Sequence, residues 1–600
     1  MALDPVVLCL NKAGLPVAKQ IATAFEFALH GRSQRVEDAD VFFENALDHA
    51  RALFAAGIPI IGVCASGILI RAVAPLLVDK TTEPPVISVA DDGSVVIPLL
   101  GGHRGANRLS SRIAQALGAK SAVTTAGDLS LGLALDEPPA GWRLANPQDA
   151  KTAMSSILNE GAPRISGENI WGIQSGPGPV TLHVSDAPIV TGPTDLAYHP
   201  QQYALGLGCA RGCDPQEMQD LIEQVLAQAG IAQEAIAAVG SLDLKGDEPA
   251  MIEAASALGI PFRLFSAEAL EAETPRLHTP SEIVFAEVGC HGVSEAAALA
   301  LTGERGSLTV SKQKTANATC ALARAPEPLV QMTGRSRGKL SIVSIGPGQA
   351  GWRSPEASRL VAEAEELVGY GLYIDLLGPL AYGKARSDFP LGGEEDRCRY
   401  ALERAAEGRN VALVCSGDAG IYAMGALVFE LLDRSSEDHG VSDAARRVEV
   451  VSTPGISALQ GAAARAGAPL GHDFCAISLS DLLTPREDIL KRLNAAAQGD
   501  FVIAFYNPVS KRRRTLLAEA RDILLQHRPA DTPVMLASSL GRPEEHLRYR
   551  KLAELQVDEV DMLTVVLVGS SHSRLAQLGE GPRMFTPRGY ARKIDGDLVE

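Results

Sequence analysis

Nowhere in the chain does a stretch of about 18 apolar residues run free of charges and breakers, so no helical membrane span is expected. The N-terminus, MALDPVVLCLNKAG, carries an early acid and lacks the basic n-region and long apolar core of a secretory signal. Basic residues are in deficit, 55 Lys and Arg against 72 Asp and Glu, for a net charge of −17. Such a chain lacks the cationic face that nucleic acid requires, although a local basic cluster can still hold an anionic small molecule. Nine cysteines form no pairing pattern, and several sit inside apolar runs such as VVLCL and VALVCSG. They read as reduced, buried thiols and point to the cytoplasm. Aromatics are scarce at 4%, which suits closely packed α/β layers.

What is present is alternation. Strand-like runs alternate with helical stretches along all 600 residues, a length that implies roughly three to five domains. The fold class expected is α/β in several domains, with units at 1–137, 138–197 and 198–324, a linker at 325–339 and a last unit at 340–580. The linker, APEPLVQMTGRSRGK, is polar and rich in proline, glycine and arginine. Asp214-Pro215 is a good helix start. The tail from Leu575 has little periodicity and is expected to be loosely attached.

Five strand ends in the last unit carry loops suited to a ligand. The first, LSIVSIGPGQAGWRSPE, spells G-x-G-x-x-G with Gly346, Gly348 and Gly351, the fingerprint of a dinucleotide turn. In that turn the helix begins within the motif. Here Trp352 and Arg353 intervene, Ser354 is the natural N-cap and Pro355 the natural first helical residue, while Pro347 has no N–H to offer a phosphate. A nicotinamide oxidoreductase therefore stands as a remote alternative. The next loops are Ser416-Gly417-Asp418-Ala419-Gly420, Thr453-Pro454-Gly455, Tyr506-Asn507-Pro508, and the strand carrying Thr564 and Gly569. Small residues let a ligand approach the backbone, and one carboxylate is fixed at a strand end.

In this order, IGPG, SGDAG, TPGISA, YNP, SLGRP and LTVVLVG, the last unit resembles the tetrapyrrole methyltransferases. Within them GYGLYIDLLGPL, SDFPLGGEEDR, LGHDFCAISLSDLLTPRE and FYNPVSKRRR resemble the precorrin-3B C(17)-methyltransferases of cobalamin biosynthesis. The resemblance implies a two-domain fold with S-adenosyl-L-methionine between the domains, usually in a homodimer, and C17 methylation with ring contraction to precorrin-4. It implies cofactor contacts at Gly346, Pro347, Gly348, Ser416, Gly417, Asp418, Ile421, Ser457, Ala458, Asn507 and Gly541. The substrate implied is precorrin-3B or its cobalt form, with other enzymes of the pathway as partners. Some relatives carry an acid, proposed as a base, after the first helix; this chain has Gly371 there, with Asp375 and Lys384 nearby. For the contraction step His472 and Asp473 are candidate proton donors, the alternative being an ordinary turn. The run Ser510–Arg514, with four cations in a row, is either a substrate-carboxylate site or a solvated helix end.

Residues 1 to about 324 resemble the CbiG family, cobalt-precorrin-5A hydrolases, in GVCASGILIRAVAPLL, GLGCARGCDP, SLDLKGDEPAMIEAA, VGCHGVSEAAALAL and SKQKTANATCALA. That resemblance implies opening of a δ-lactone with release of acetaldehyde. His103 in GGHRGAN, Lys245 in SLDLKGDE and Glu295 in GVSEAA are the catalytic candidates, each with a structural alternative as a helix cap or ion-pair partner. A non-catalytic corrinoid-binding or scaffolding module is the alternative for this half. Three further features read as bland. SGPGPV is a turn, Cys64 is a buried strand end, and Cys209, Cys213 and Cys290-His291 have loose spacing for a metal, so no metal is expected.

Overall fold

The computed structural model describes residues 3–77, 82–124, 135–435, 437–510 and 514–590, with only the backbone of His103. Six sheets organise the described residues, and helices cover them as the α/β pattern requires. The first is seven-stranded, with a parallel centre of Val6–Cys9, Ala28–Arg32, Ile60–Val63 and Val86–Val89. These strands are buried on both faces, which explains their near-continuous apolar runs. Two histidines are closed into this unit: His30 Nδ1 lies 2.8 Å from His49 Nε2, and both are buried. Phe43 stacks on His49. Cys64 is buried at a strand end as expected, and burial pushes its thiol up to about 12.

A four-stranded sheet follows, then a six-stranded one with Tyr203–Cys209, Ile236–Leu242 and Phe262–Phe265 parallel at its centre. The helix start read at Asp214-Pro215 is there: Asp214 accepts the Gln216 N–H (3.0 Å) and Pro215 takes the first turn. Within the segment 325–339, Arg335–Ser336 pairs antiparallel with Phe262–Phe265, and Lys339–Ser344 opens the next sheet. Only Arg337 and Gly338 lie between those strands. The arginines here are half-buried and tied to backbone: Arg335 donates to the Ala406 carbonyl and Arg337 to those of Arg447 and Val448.

The fourth sheet is five-stranded and wholly parallel, in the order Ala385–Phe389, Glu366–Tyr370, Asn410–Cys415, Lys339–Ser344, Glu449–Ser452. The strands ending at Ser344, Cys415 and Ser452 are thus neighbours, so the first three ligand loops emerge side by side at one rim. The helix after the first loop begins at Pro355 with Ser354 accepting the Ala357 N–H (3.0 Å), as the sequence predicts. The last lobe holds a five-stranded mixed sheet built on Phe474–Ser478, Val502–Tyr506, Thr564–Val568, Pro533–Ser538 and His546–Lys551.

The tail corrects the expectation of loose attachment. Arg574–Leu578 and Gly581–Phe585 form a hairpin that pairs with Gly467–Ala468, and Met584 is fully buried. The short strands and the Gly581 turn hid this pairing, because their partner lies more than a hundred residues away. Between the first unit and the fourth sheet, one hydrophobic cluster includes Leu53, Phe54 and Leu69 together with Leu360, Val361 and Leu380. Among the described residues no helix is long and apolar enough to cross a membrane.

Candidate functional site

The loops at the rim are joined to one another before any ligand is considered. Gly346 N–H donates to the Gly417 carbonyl (3.1 Å) and Gly417 N–H returns a bond to the Gly346 carbonyl (2.8 Å). Both glycines sit at positive φ, +72° and +71°, a conformation in which a side chain is strained. The third loop closes against this pair: a Cβ on Gly455 would lie 2.3 Å from the Gly417 oxygen. Asp418 ties the second loop to the third, accepting Gly420 N–H (2.8 Å) and Gly455 N–H (3.0 Å). Beneath them Ser344 donates to the Thr453 carbonyl (2.6 Å) and accepts the Ala419 N–H (2.9 Å). Beside these loops lies a cavity of about 420 Å³, lined by Asp418, Gly420, Phe429, Thr453 and Pro454 among others. Asp418 is the one ionisable side chain in that lining.

The second lobe meets the first across this rim. Arg542 donates to the Pro347 carbonyl (3.3 Å), and Gly348 packs so tightly that a Cβ would lie 2.9 Å from the Gly541 oxygen. Gly541 itself has φ +69°. Ser457, buried, caps the helix Ala458–Ala466 in a reciprocal capping box with Gln460. Tyr506 Oη accepts the Leu459 N–H (2.9 Å), and Asn507, at φ +48°, donates to Ser478 Oγ (3.2 Å). Ile421, three residues beyond Asp418, is exposed. Next to it Tyr422, at φ +51°, reaches across to donate to the Ala476 carbonyl (2.8 Å) on the edge strand of the second lobe. The structure therefore gathers Gly346, Pro347, Gly348, Gly417, Asp418, Ser457, Ala458 and Gly541 at one interlobe rim, with Ser416, Ile421 and Asn507 flanking it. Tyr422 and Arg542 belong with them; their signal was faint, a tyrosine and an arginine next to motif glycines.

Gly351 does not behave as the third glycine of a dinucleotide turn. That position needs a bare backbone where helix packs on strand, yet a Cβ on Gly351 would meet nothing within 4 Å.

The catalytic candidates fare differently. His472 and Asp473 precede the strand Phe474–Ser478, whose other end carries Ser478 beside Asn507. Four residues at about 3.3 Å each separate the two ends, so the pair stands at the far end of that strand, exposed. Lys384 is half-buried and donates to the Ala362 and Ala364 carbonyls at a helix end; desolvation lowers its amine to about 8. Asp375 is paired with Arg386 (2.7 Å). Of the cationic run, Lys511 to Arg513 lie outside the described residues, and Arg514 pairs with Asp558.

In the N-terminal half, the His103 side chain lies outside the described residues; its backbone forms the short 3₁₀ turn Gly102–Arg104. Lys245 ends a turn after Ile236–Leu242, near Cys209 and the buried Glu248, which accepts Gly212 N–H (2.8 Å). Glu295 is 2% exposed. It accepts the N–H groups of His278, Thr279 and Lys312 and the Thr279 hydroxyl. Burial would raise its carboxyl, but these donors hold it below the usual range. So saturated a carboxylate fastens two segments to a helix start. His291 pairs with Glu271 (2.9 Å) and stacks on Phe285.

Parallel sheet, rim of glycine loops and second mixed lobe together define a two-lobed α/β enzyme class with an interlobe cleft. The chain belongs to the tetrapyrrole (corrin/porphyrin) methylases, whose family model matches residues 339–556. Models for the cobalamin synthesis G N-terminal and C-terminal regions match residues 48–128 and 203–323. A precorrin-3B C(17)-methyltransferase of Sinorhizobium sp is 43% identical over 255 residues, covering 42% of this chain and 98% of that protein. A probable cobalt-factor III C(17)-methyltransferase of Salmonella typhimurium is 42% identical over 251 residues, covering 42% of this chain and 99% of that protein. The crystal structure of the methyltransferase CobJ is 40% identical, covering 42% of this chain and 100% of its own, with a TM-score of 0.39.

Proposed function

We propose that the C-terminal half methylates C17 of precorrin-3B, or its cobalt form, with ring contraction to precorrin-4, using S-adenosyl-L-methionine. The N-terminal half opens the δ-lactone of the later cobalt-precorrin-5A and releases its two-carbon fragment. The names carried by the relatives support the first activity, and the two matched N-terminal regions support the second.

One observation carries the cofactor reading. The amides that a pyrophosphate would need are already engaged: those of Gly346 and Gly417 with each other, that of Ala419 with Ser344, those of Gly420 and Gly455 with Asp418. A rim built this way has few amides to offer an anion, and the one ionisable side chain that lines the cavity is an acid. A sulfonium asks for the reverse, carbonyl dipoles and a carboxylate. When bound, S-adenosylmethionine supplies an electrophilic methyl group. Asp418 then balances its charge while the paired glycine loops hold their spacing, and the lobes joined through Tyr422 and Arg542 exclude water. Positioning of this sort provides much of the rate in a displacement that leaves the protein little covalent work. A homodimer through the methylase half, contacts with other enzymes of the pathway and a cytoplasmic location belong to the same reading.

The test is to incubate the full chain with S-adenosylmethionine and precorrin-3B, with and without cobalt, and weigh the products. A product heavier by one CH2 unit, a methyl gained and a proton lost, is expected. In a companion assay, Asp418→Ala weakens cofactor binding by about 10–100-fold, the loss of a charged group and two amide bonds. A chain that ignores the methyl donor but binds NADH tightly would overturn the reading. Acetaldehyde release from a lactone-bearing corrinoid tests the N-terminal half, and its absence would leave that half a scaffold.

A further inference from the structure

Arg465 and Glu545 lie outside every motif discussed so far, yet the cofactor loops hang on them. Ser457 and Ala458 open the helix Ala458–Ala466, on which Gly461 and Arg465 stand one turn apart on one face. Trp352, from the first loop, lies over that face: a Cβ on Gly461 would sit 3.2 Å from the indole. One turn further, the Arg465 guanidinium stands 4.6 Å from the Trp352 ring centroid. Arg465 Nε also donates to Glu545 Oε1 (2.7 Å), and Glu545 Oε2 accepts the Gly541 N–H (2.6 Å). A continuous chain, Trp352–Arg465–Glu545–Gly541, thus links the loop of Gly346–Gly348, the helix start at Ser457–Ala458 and the loop of Gly541. The gap it spans is tight, since a Cβ on Gly541 would lie 2.9 Å from the Gln349 nitrogen.

We propose that Arg465 and Glu545 are positioning residues that set the spacing of three cofactor loops, acting through Trp352 and Gly541 without touching substrate. The inference rests on the reading that S-adenosylmethionine binds this cleft. The pair is a poor candidate for a purely stabilising role. Its side chains are 37% and 21% exposed, and ion pairs with that much solvent contribute little to folding. Their effect is expected where loop spacing is felt, at the bound cofactor.

The experiment uses the full chain and calorimetric titration with S-adenosylhomocysteine. Arg465→Ala and Glu545→Ala are each expected to weaken binding by about tenfold or more, as when the support of a binding loop is loosened. Melting temperatures should move by no more than about 3 °C. Because the two residues act in one chain, the double variant should be little worse than either single one. In turnover, KM for S-adenosylmethionine rises while kcat at saturating cofactor is kept, and Arg465→Lys restores part of the affinity through the ion pair alone. Wild-type binding with unchanged variants, or losses that add as for independent sites, would sink the inference and leave the cofactor reading standing. A wild-type chain that fails to bind would remove both.

Discussion

Two glycines three residues apart in the same motif should respond oppositely to an added methyl group. A Cβ at position 348 would lie 2.7 Å from Arg542 Cγ and 2.9 Å from the Gly541 oxygen. The oxygen is backbone, so relief requires the interlobe loops to separate. Overpacking of this kind costs about 1–3 kcal/mol. For a unit of this size each kcal/mol lowers the melting temperature by roughly 2–4 °C, which gives a fall of about 2–12 °C for Gly348→Ala. At position 351 the Cβ meets nothing within 4 Å and φ is not positive, so Gly351→Ala should change stability by no more than about 0.5 kcal/mol. The assay is scanning calorimetry of the full chain, paired with titration of S-adenosylhomocysteine. Gly348→Ala should lose affinity together with stability; Gly351→Ala should keep both. If Gly351→Ala abolished cofactor binding while Gly348→Ala were silent, the loop would be acting as a dinucleotide turn and the reasoning would fail.

Two further outcomes follow from packing and burial. Burial lowers His30 to about 4 and His49 to about 3, so below the ordinary histidine value of 6.5 the unfolded chain takes up protons that the folded chain refuses. Stability is therefore full above pH 6.5 and lost as pH falls toward 4. At pH 5 each histidine accounts for about 2 kcal/mol, and denaturant titrations at pH 7 and pH 5 should show that difference shrink by about this amount in His49→Phe; an unchanged difference would refute it. In Gly338→Ala the Cβ would fall 1.6 Å from the Ala405 oxygen, so the junction must open; trypsin should then cut at Arg337, and an unaltered digestion pattern would count against the packing described.

Local signals were legible and distant ones were not. The Ser354 cap, the Pro355 start and the strand–loop–helix order are written in neighbouring residues, and they gave the parallel sheet and its rim of loops. The tail hairpin went unread because its stability lies in pairing with Gly467–Ala468, far back in the chain. His472 and Asp473 have the right chemistry, but a sequence does not say which end of a five-residue strand faces a cleft. The hydrogen bonding of Glu295 was not legible either, since its four donors come from segments on both sides of it. Glu545 gave no signal at all: its partner Arg465 is 80 residues away.

The junction at Arg337 and Gly338 bears on how the two halves can be studied. Two residues between sheets, one of them the carbonyl-bound Arg337, and an apolar cluster common to the first unit and the methylase sheet leave no slack for independent tumbling. Severing the chain there would lay bare greasy surface on both fragments, around Phe54 on one and Leu360 on the other. Any comparison of whole against split protein would then report how well the fragments find each other again as much as it reports the passage of intermediates between them.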